Sequence, residues 1–387
     1  MAEGDDTTEK FPKDFLWGTA ISSHQVEGGN KNDWTEGEKK YDLPVSGKAA
    51  DFYHLYDGDF SLAKDFLHNN SIRLSIEWSR LQPDNSKGFI QKESDHYVKI
   101  LEAAKNKDLS PMVTLHHFTN PTWFSEKGGW ANKENLPYFT DYVMECKKNF
   151  GDLADLWITI NEPWVLASMG YLEKVWPPMK RNPLLFAKAY LNMAKAHNEA
   201  FNILTETNKP IGSANQMVDV QGTPPFDRLF RTVMNHSYLD LTRKTNDFIG
   251  LNYYRPYYPI PNQESKSLPK SDFDWLIDAK GLYNVGKETW KKYKLPIFIT
   301  ENGIADATDA QRADYIVDHL KSTKKLIDEG VDIRGYYHWS LLNNYEWAEG
   351  YKMKFGLFSV DPKTMERIPR KSAEVYSKIC RENKIVT

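Results

Sequence analysis

Apolar residues recur along the chain in two alternating ways. Short runs of β-branched and aromatic residues, bounded by turn residues, lie at Phe15–Ser22, Ser71–Trp78, Met112–His117, Leu156–Glu162, Pro210–Asn215, Phe248–Tyr254, Pro296–Glu301 and Ile333–Leu341. Among them come longer stretches with helical periodicity, at Leu55–Asn69, Ser94–Lys107, Leu136–Phe150, Pro183–Asn208, Phe226–Lys244, Ala307–Glu329 and Lys371–Glu382. This alternation predicts successive β/α units. The short runs are apolar on both faces, so they read as parallel strands covered from each side. An open doubly wound sheet would need a Gly-x-Gly-x-x-Gly turn after its first strand, and Gly28-Gly29 has neither that spacing nor a helix behind it. The prediction is an α/β fold, a single-domain (β/α)8 TIM barrel over residues 11–387 behind a polar tail of residues 1–10. Arg255–Lys280, with Pro256, Pro259, Pro261 and Pro269, reads as a long loop after the sixth strand.

Composition narrows the function classes. Lys and Arg number 50 and Asp and Glu 53, and the formal charge of −3 is accompanied by no basic run. Such a surface has no general attraction for nucleic acid or anionic lipid, so neither is expected as a partner. No apolar stretch approaches the roughly 18 residues of a membrane span. The opening MAEGDDTTEK lacks the basic start and apolar core of a signal peptide, and the expected location is cytoplasmic. Two cysteines, Cys146 and Cys380, cannot build a disulfide framework or a cysteine metal cage. The 12 Trp, 21 Tyr and 19 Phe exceed what packing alone usually requires, and fit either an aromatic core or a site that stacks sugar rings.

Barrel active sites lie where strands end and the following loops begin. Those ends carry Gln25 and Glu27, Arg73 and Glu77, His116 and His117, Asn161 and Glu162, Asn215, Asn252 and Tyr254, Glu301 and Asn302, Trp339, and then Glu346 and Trp347. Glu162 and Glu301 each follow an apolar strand and each has Asn beside it. A single carboxylate carried into a barrel mouth calls for a structural partner. Two facing one pocket are the equipment of glycosidic bond cleavage, where one protonates the leaving oxygen and the other attacks or activates water. His116 and His117 are adjacent on a strand and point to opposite faces, so they cannot chelate one ion. No metal and no cofactor is expected.

The strand ends also form longer motifs. They are Phe11-Pro-x-x-Phe-Leu-Trp-Gly18 with His24-Gln-Val-Glu-Gly28, Arg73-Leu-Ser-Ile-Glu-Trp-Ser-Arg80, Thr114-Leu-His-His-Phe118, Thr159-Ile-Asn-Glu-Pro163 and Asp247-Phe-Ile-Gly-Leu-Asn-Tyr-Tyr254. Ile299-Thr-Glu-Asn-Gly303 and Trp339-Ser-Leu-Leu-Asn-Asn-Tyr-Glu-Trp347, with Phe355-Gly-Leu357, complete the series. In this order, the motifs resemble the family 1 glycoside hydrolases, the β-glucosidase family, from Phe11 to about Val360.

The resemblance implies a retaining, exo-acting β-glycosidase that cleaves small β-glycosides and oligosaccharides through a covalent glycosyl-enzyme. Glu301 matches the nucleophile and Glu162 the acid/base, about 5–5.5 Å apart as retention requires. Arg73 and Tyr254 match the residues that support the nucleophile, and the charge of Glu301 is expected to hold Glu162 protonated by repulsion. Asn161 matches the contact to the sugar 2-hydroxyl. Gln25, His117, Asn252, Trp339, Glu346 and Trp347 match the substrate-binding positions. Asn343, Phe118, Asn120 and Lys354 depart from the residues usual in the family, which bears on the choice among glucose, galactose and fucose. The segment Met217–Asn246 is short for the family, which predicts a low wall on the aglycone side unless Arg255–Lys280 folds over it. An endo-acting relative of the same clan, a 6-phospho-β-glycosidase and a non-catalytic sugar-binding protein are the alternatives, and a homo-oligomer is left open.

Overall fold

The computed structural model describes residues 10–85 and 88–386, so the polar tail assigned to residues 1–10 lies outside the described residues but for Lys10. Eight parallel strands close into a barrel in chain order: β1 Leu16–Ala20, β2 Ser71–Ser75, β3 Ser110–His116, β4 Leu156–Asn161, β5 Ile211–Gln216, β6 Phe248–Asn252, β7 Ile297–Asn302 and β8 Ile333–Trp339. The last pairs with the first, Leu16 opposite Gly335 and Ala20 opposite Trp339. Each strand falls inside or within about two residues of its predicted run.

A helix follows each strand, and all but the fifth cover the outside of the barrel with a buried face. These are α1 Phe52–Ser61, α2 Gln91–Asn106, α3 Leu136–Phe150, α4 Pro183–Leu204, α5 Phe226–Arg231, α6 Ala279–Tyr293, α7 Arg312–Asp328 and α8 Lys371–Glu382. α1 runs on into a wide π turn over Leu62–Phe66; α5 continues through another over Thr232–His236 into Ser237–Leu241. α4 starts where its residues favour a helix: Pro183 occupies the first turn and the Asn182 side chain accepts from the amides of Leu184 and Leu185, at 3.0 and 3.1 Å.

α6 has no counterpart among the predicted helices. Its buried positions Leu282, Val285, Gly286, Thr289 and Tyr293 have helical spacing, but Gly281 and Gly286 interrupt the apolar stripe. Both glycines are packing requirements. A Cβ at Gly281 would meet the Tyr253 hydroxyl at 1.9 Å, and one at Gly286 would meet Leu326 at 2.6 Å. Close approach of the helix to its neighbours thus removes the side chains that would have announced it.

The core has two layers. Ala20, Met112, Ile158, Ala214, Phe248, Phe298 and Tyr337 belong to a cluster inside the barrel, and a much larger cluster fills the space between strands and helices. Cys146 and Cys380 are both buried and unpaired. A clasp joins the two ends of the described chain: Asn383, in the left-handed conformation after α8 (φ 52°), accepts from the Trp17 indole at 2.8 Å and donates to the Phe11 carbonyl at 2.9 Å. Asn383→Ala removes these bonds and leaves alanine in a conformation it disfavours. The expected loss is about 2–3 kcal/mol, read from urea unfolding; a change under about 0.5 kcal/mol would show that the clasp does not secure the barrel.

Candidate active site

A cavity of about 570 Å³ opens at the C-terminal ends of the strands, lined among others by Gln25, His117, Glu162, Tyr254, Glu301, Trp339, Glu346 and Trp347. Arg73, Asn161 and Asn252 stand directly beneath these groups and bond to them. All eleven positions that the resemblance matched to catalysis and substrate binding therefore meet in one place.

Glu301 lies at the end of β7, 3% exposed, with a donor on each oxygen. Arg73 pairs with Oε1, and the Tyr254 hydroxyl donates to Oε2 at 2.6 Å. Arg73 is itself buried and spends its other N–H groups on Asn161 Oδ1 at 2.6 Å, the Thr300 carbonyl at 3.1 Å and the Thr114 hydroxyl at 3.2 Å. Burial, followed by the charge of Glu301, pushes the Tyr254 phenol well above its usual range, so it remains a donor. Two residues past Glu301, a Cβ at Gly303 would lie 1.8 Å from the Trp339 carbonyl; glycine lets the end of β7 pack against that of β8.

Glu162 is held quite differently. It follows β4 in the left-handed conformation (φ 45°), its amide donating to the Ala214 carbonyl at 2.8 Å, and Pro163 opens the helix Pro163–Tyr171 immediately after it. Its carboxyl receives one amide donor, Asn252 Nδ2 at 2.7 Å, and among the described residues no cation contacts it directly. Asn252 is oriented in turn by the Thr300 hydroxyl, 2.6 Å from Oδ1. Burial pushes the Glu162 pKa up to about 8, and the negative charge of Glu301 is the second cause. The sequence pointed to Glu301 as the cause of the shift; removal from water is the larger effect, and the Asn252 amide and the more distant Arg73 charge offset it only in part.

Glu346 is the third carboxyl of the site. Gln25 Nε2 donates to it at 3.2 Å and to the Tyr345 carbonyl at 2.9 Å, while the Ser22 hydroxyl fixes the other end of Gln25 at 2.7 Å. Burial and then the charge of Glu301 raise Glu346 to about 8 as well. Asn161, with Oδ1 occupied by Arg73 and Asn252, directs Nδ2 towards His117 Nε2 at 3.3 Å. The His117 ring lies nearly parallel to both Trp339 and Trp347, at 6.0 and 6.3 Å. Behind Trp347 the ring of His24 stacks at 5.5 Å. Burial lowers the pKa of both imidazoles, to about 4 for His24 and well below the usual value for His117, so neither is charged near neutrality.

Other strand-end residues serve structure. Glu27 pairs with Arg80 and accepts from Tyr97, and Glu77 collects the hydroxyls of Ser23, Ser79 and Thr119. His116 turns away from the cavity to Asn120 and Trp130, Asn215 bonds back to Ser213, and Asn302 donates to the Tyr253 carbonyl. Thr114 and Thr300, which orient Arg73 and Asn252, stand inside the strand-end motifs but were not among the expected site residues. The residues of the outer wall were not among them either. Trp164, Trp176 and Phe230 line the cavity, as do Arg255, Tyr257, Phe273 and Trp275 from the loop after β6. That loop pairs with the short segment after β5, Asp219 opposite Pro256 and Val220 opposite Tyr257, and the two together wall this side of the cavity. Three lining residues, Phe118, Glu162 and Trp347, hold positive φ of 74°, 45° and 50°. Such conformations cost of order 1–3 kcal/mol each.

Among known proteins, the family model described as glycosyl hydrolase family 1 matches residues 7–237 and 230–385. Beta-glucosidase A of Thermotoga maritima is 32% identical over 441 aligned positions, covering 97% of this chain and 98% of that protein. A solved β-glucosidase structure from the same organism, in complex with deoxynojirimycin, superposes with a TM-score of 0.90 at 30% identity, covering 98% of this chain and all of that one. A 6-phospho-β-galactosidase of Clostridium acetobutylicum is 29% identical, with 96% and 98% covered. An alignment of 441 positions against 387 residues places insertions in the Thermotoga relative, in keeping with a short chain.

The raised Glu162 pKa has a consequence for stability. The folded protein keeps a proton that the unfolded chain releases above its ordinary value of 4.5, so this carboxyl costs stability progressively as pH rises from 4.5 towards about 8. Glu162→Gln keeps the shape and abolishes the titration. It should melt higher than the wild type at pH 8, on the order of 2–5 °C, with the gap closing at pH 4.5. An equal gap at both pH values would contradict the buried, protonated carboxyl.

Proposed function

Since the chain belongs to glycosyl hydrolase family 1 and is a glycoside hydrolase, we propose that it releases terminal β-D-glucosyl residues from small β-glycosides and oligosaccharides, with Glu301 as nucleophile and Glu162 as acid/base. The carrying observation is the unequal treatment of two buried carboxyls. Glu301 has Arg73 and Tyr254 on its oxygens, whereas Glu162 has one amide and a pKa of about 8. One is built to be an anion and the other to hold a proton at neutral pH.

In the first step a Glu301 oxygen attacks the anomeric carbon from the α face, while the Glu162 proton passes to the departing glycosidic oxygen. The ester that forms has no negative charge, so the repulsion acting on Glu162 is relieved. Glu162 then takes a proton from water as that water attacks the anomeric carbon, and Glu301 leaves as the carboxylate. Two inversions give net retention. Asn161, fixed by Arg73, presents Nδ2 to the 2-hydroxyl, where a hydrogen bond strengthens as the oxocarbenium-like transition state develops. Gln25, His117 and Glu346 serve the remaining hydroxyls, with Trp339 and Trp347 as apolar faces.

Glucose is favoured over a 6-phosphorylated sugar. A phosphate dianion would meet the negative charge kept at Glu301, and the one Lys or Arg among the cavity-lining residues, Arg255, lies over the Trp275 ring at 5.2 Å. β-Galactosides and β-fucosides, changed at few positions of the sugar, are proposed as secondary substrates. A reducing, cytoplasmic setting is proposed with this activity, supported by the two unpaired thiols; among the described residues no helix is long and apolar enough to cross a membrane.

Glu301→Ala should lose essentially all turnover and recover it with azide, yielding the α-glucosyl azide. Glu162→Ala with an activated aryl glucoside should yield the β-azide, because there the anion intercepts the ester. Proton NMR of the products decides the matter, and the same anomer from both variants would overturn the assigned roles.

A further inference from the structure

The segment after β5 carries apolar residues at Phe226, Leu229, Phe230, Val233 and Met234, the one-face spacing of an amphipathic helix. On a barrel helix that face would be expected against the strands. Here it is largely turned to solvent: Phe226 and Leu229 are 65% and 60% exposed, and Phe230 and Val233 are 39% and 37% exposed. The contact with the barrel is made instead by the next turns, where Tyr238 and Leu239 are buried and Asn235 brackets Val218, accepting from its amide at 3.0 Å and donating to its carbonyl at 2.8 Å. Between the two halves lies the π turn Thr232–His236, whose extra residue rotates one half's face away from the other's.

The exposed stripe does not end on open surface. Phe230 and Met234 line the cavity that holds Glu162 and Glu301, and Phe230 is 6.3 Å from the Tyr257 ring. The stripe is thus the outward continuation of the catalytic cavity. From the segment after β4, Met169, Leu172 and Val175 add further apolar lining.

Polar groups on this outer part are few and partly committed. The Ser168 hydroxyl donates to the Val165 carbonyl at 3.1 Å, and the Arg255 guanidinium lies over Trp275. Gln216, Glu173, Glu349 and the Tyr257 hydroxyl remain, against a lining that is otherwise mostly apolar and aromatic. A second sugar would bring several hydroxyls needing partners, and leaving them unpaired in an apolar channel is costly. An alkyl chain brings none and would cover an apolar stripe that water now touches.

We propose that this outer half is a subsite for an extended apolar aglycone, and that the preferred substrates are amphiphilic β-glucosides carrying a linear alkyl chain rather than disaccharides. The inference rests on the glycosidase reading above. It predicts sharp dependence on aglycone chain length, in place of the tolerance that a missing wall would give.

The test is kcat/KM on ethyl, butyl, hexyl and octyl β-D-glucosides, all kept below their critical micelle concentrations, with cellobiose for comparison. Partial burial of each methylene should raise kcat/KM about twofold, so octyl should exceed ethyl by roughly 50-fold and should also exceed cellobiose. Phe230→Ser should cut the octyl-to-ethyl ratio several-fold, and Phe226→Ser and Leu229→Ser, at exposed positions where folding is not at risk, should do so more mildly. Taking the ratio cancels any general loss of active enzyme. Turnover with a flat chain-length profile would overturn the subsite and leave the glycosidase reading standing. No turnover of any glucoside would overturn the proposed glucosidase activity itself. In a second octyl glucoside series carried above its micelle threshold, a rise seen there and absent below it would assign the stripe to lipid surfaces and overturn the subsite. So would a wild-type dimer that Phe226→Ser converts to monomer without changing the ratio.

Discussion

The contact on which the site depends is the ion pair between Arg73 and Glu301, buried inside the barrel mouth. Neither charge could be held there alone. Removing one partner of a buried pair costs roughly 3–5 kcal/mol, because the other stays uncompensated. The pair is made tolerable by completeness: Thr114, the Thr300 carbonyl and Asn161 take the remaining guanidinium donors, and Tyr254 covers the second carboxylate oxygen. These partners come from β3, β4, β7 and the end of β6. A closed barrel can bring such distant stretches of chain within hydrogen-bonding distance of one side chain. The negative charge kept in this way then acts on its surroundings, helping burial to keep Glu162 and Glu346 neutral.

The same arrangement works against stability. Two carboxyls shifted to about 8, three lining residues in left-handed conformations and an uncovered apolar stripe are each unfavourable to the free folded protein. They concentrate around one cavity while the interior cluster and the strand–helix cluster supply the compensating burial. A site that pre-forms charges, protons and apolar faces for a substrate must carry these costs before the substrate arrives.

The barrel was legible from sequence because buried parallel strands are apolar throughout and are separated by helices of regular period. α6 was not, since Gly281 and Gly286 replace side chains where the helix packs closest. The inner site was legible for a related reason: a barrel delivers its strand ends to one place, so Glu162, Glu301, Arg73, Tyr254 and Asn161 converge once the strands are placed. What sequence could not reveal depends on three-dimensional surroundings. The dominance of burial over repulsion at Glu162 follows from groups on several strands. Phe273 and Trp275 belong to a loop without periodicity. In sequence the stripe at Phe226–Met234 has the pattern of a core-facing helix, and only the π turn after it turns it outward.

The most direct test of the central claim is mass spectrometry after reaction with dinitrophenyl 2-deoxy-2-fluoro-β-D-glucoside, whose fluorine slows hydrolysis of the ester more than its formation. If the carboxylate held by Arg73 and Tyr254 is the nucleophile, the protein should gain one fluoroglucosyl unit. Peptide mapping should place it on Glu301, and Arg73→Met should slow its formation greatly. A label on Glu162, or substrate turnover during which the fluorosugar labels no residue, would contradict the claim.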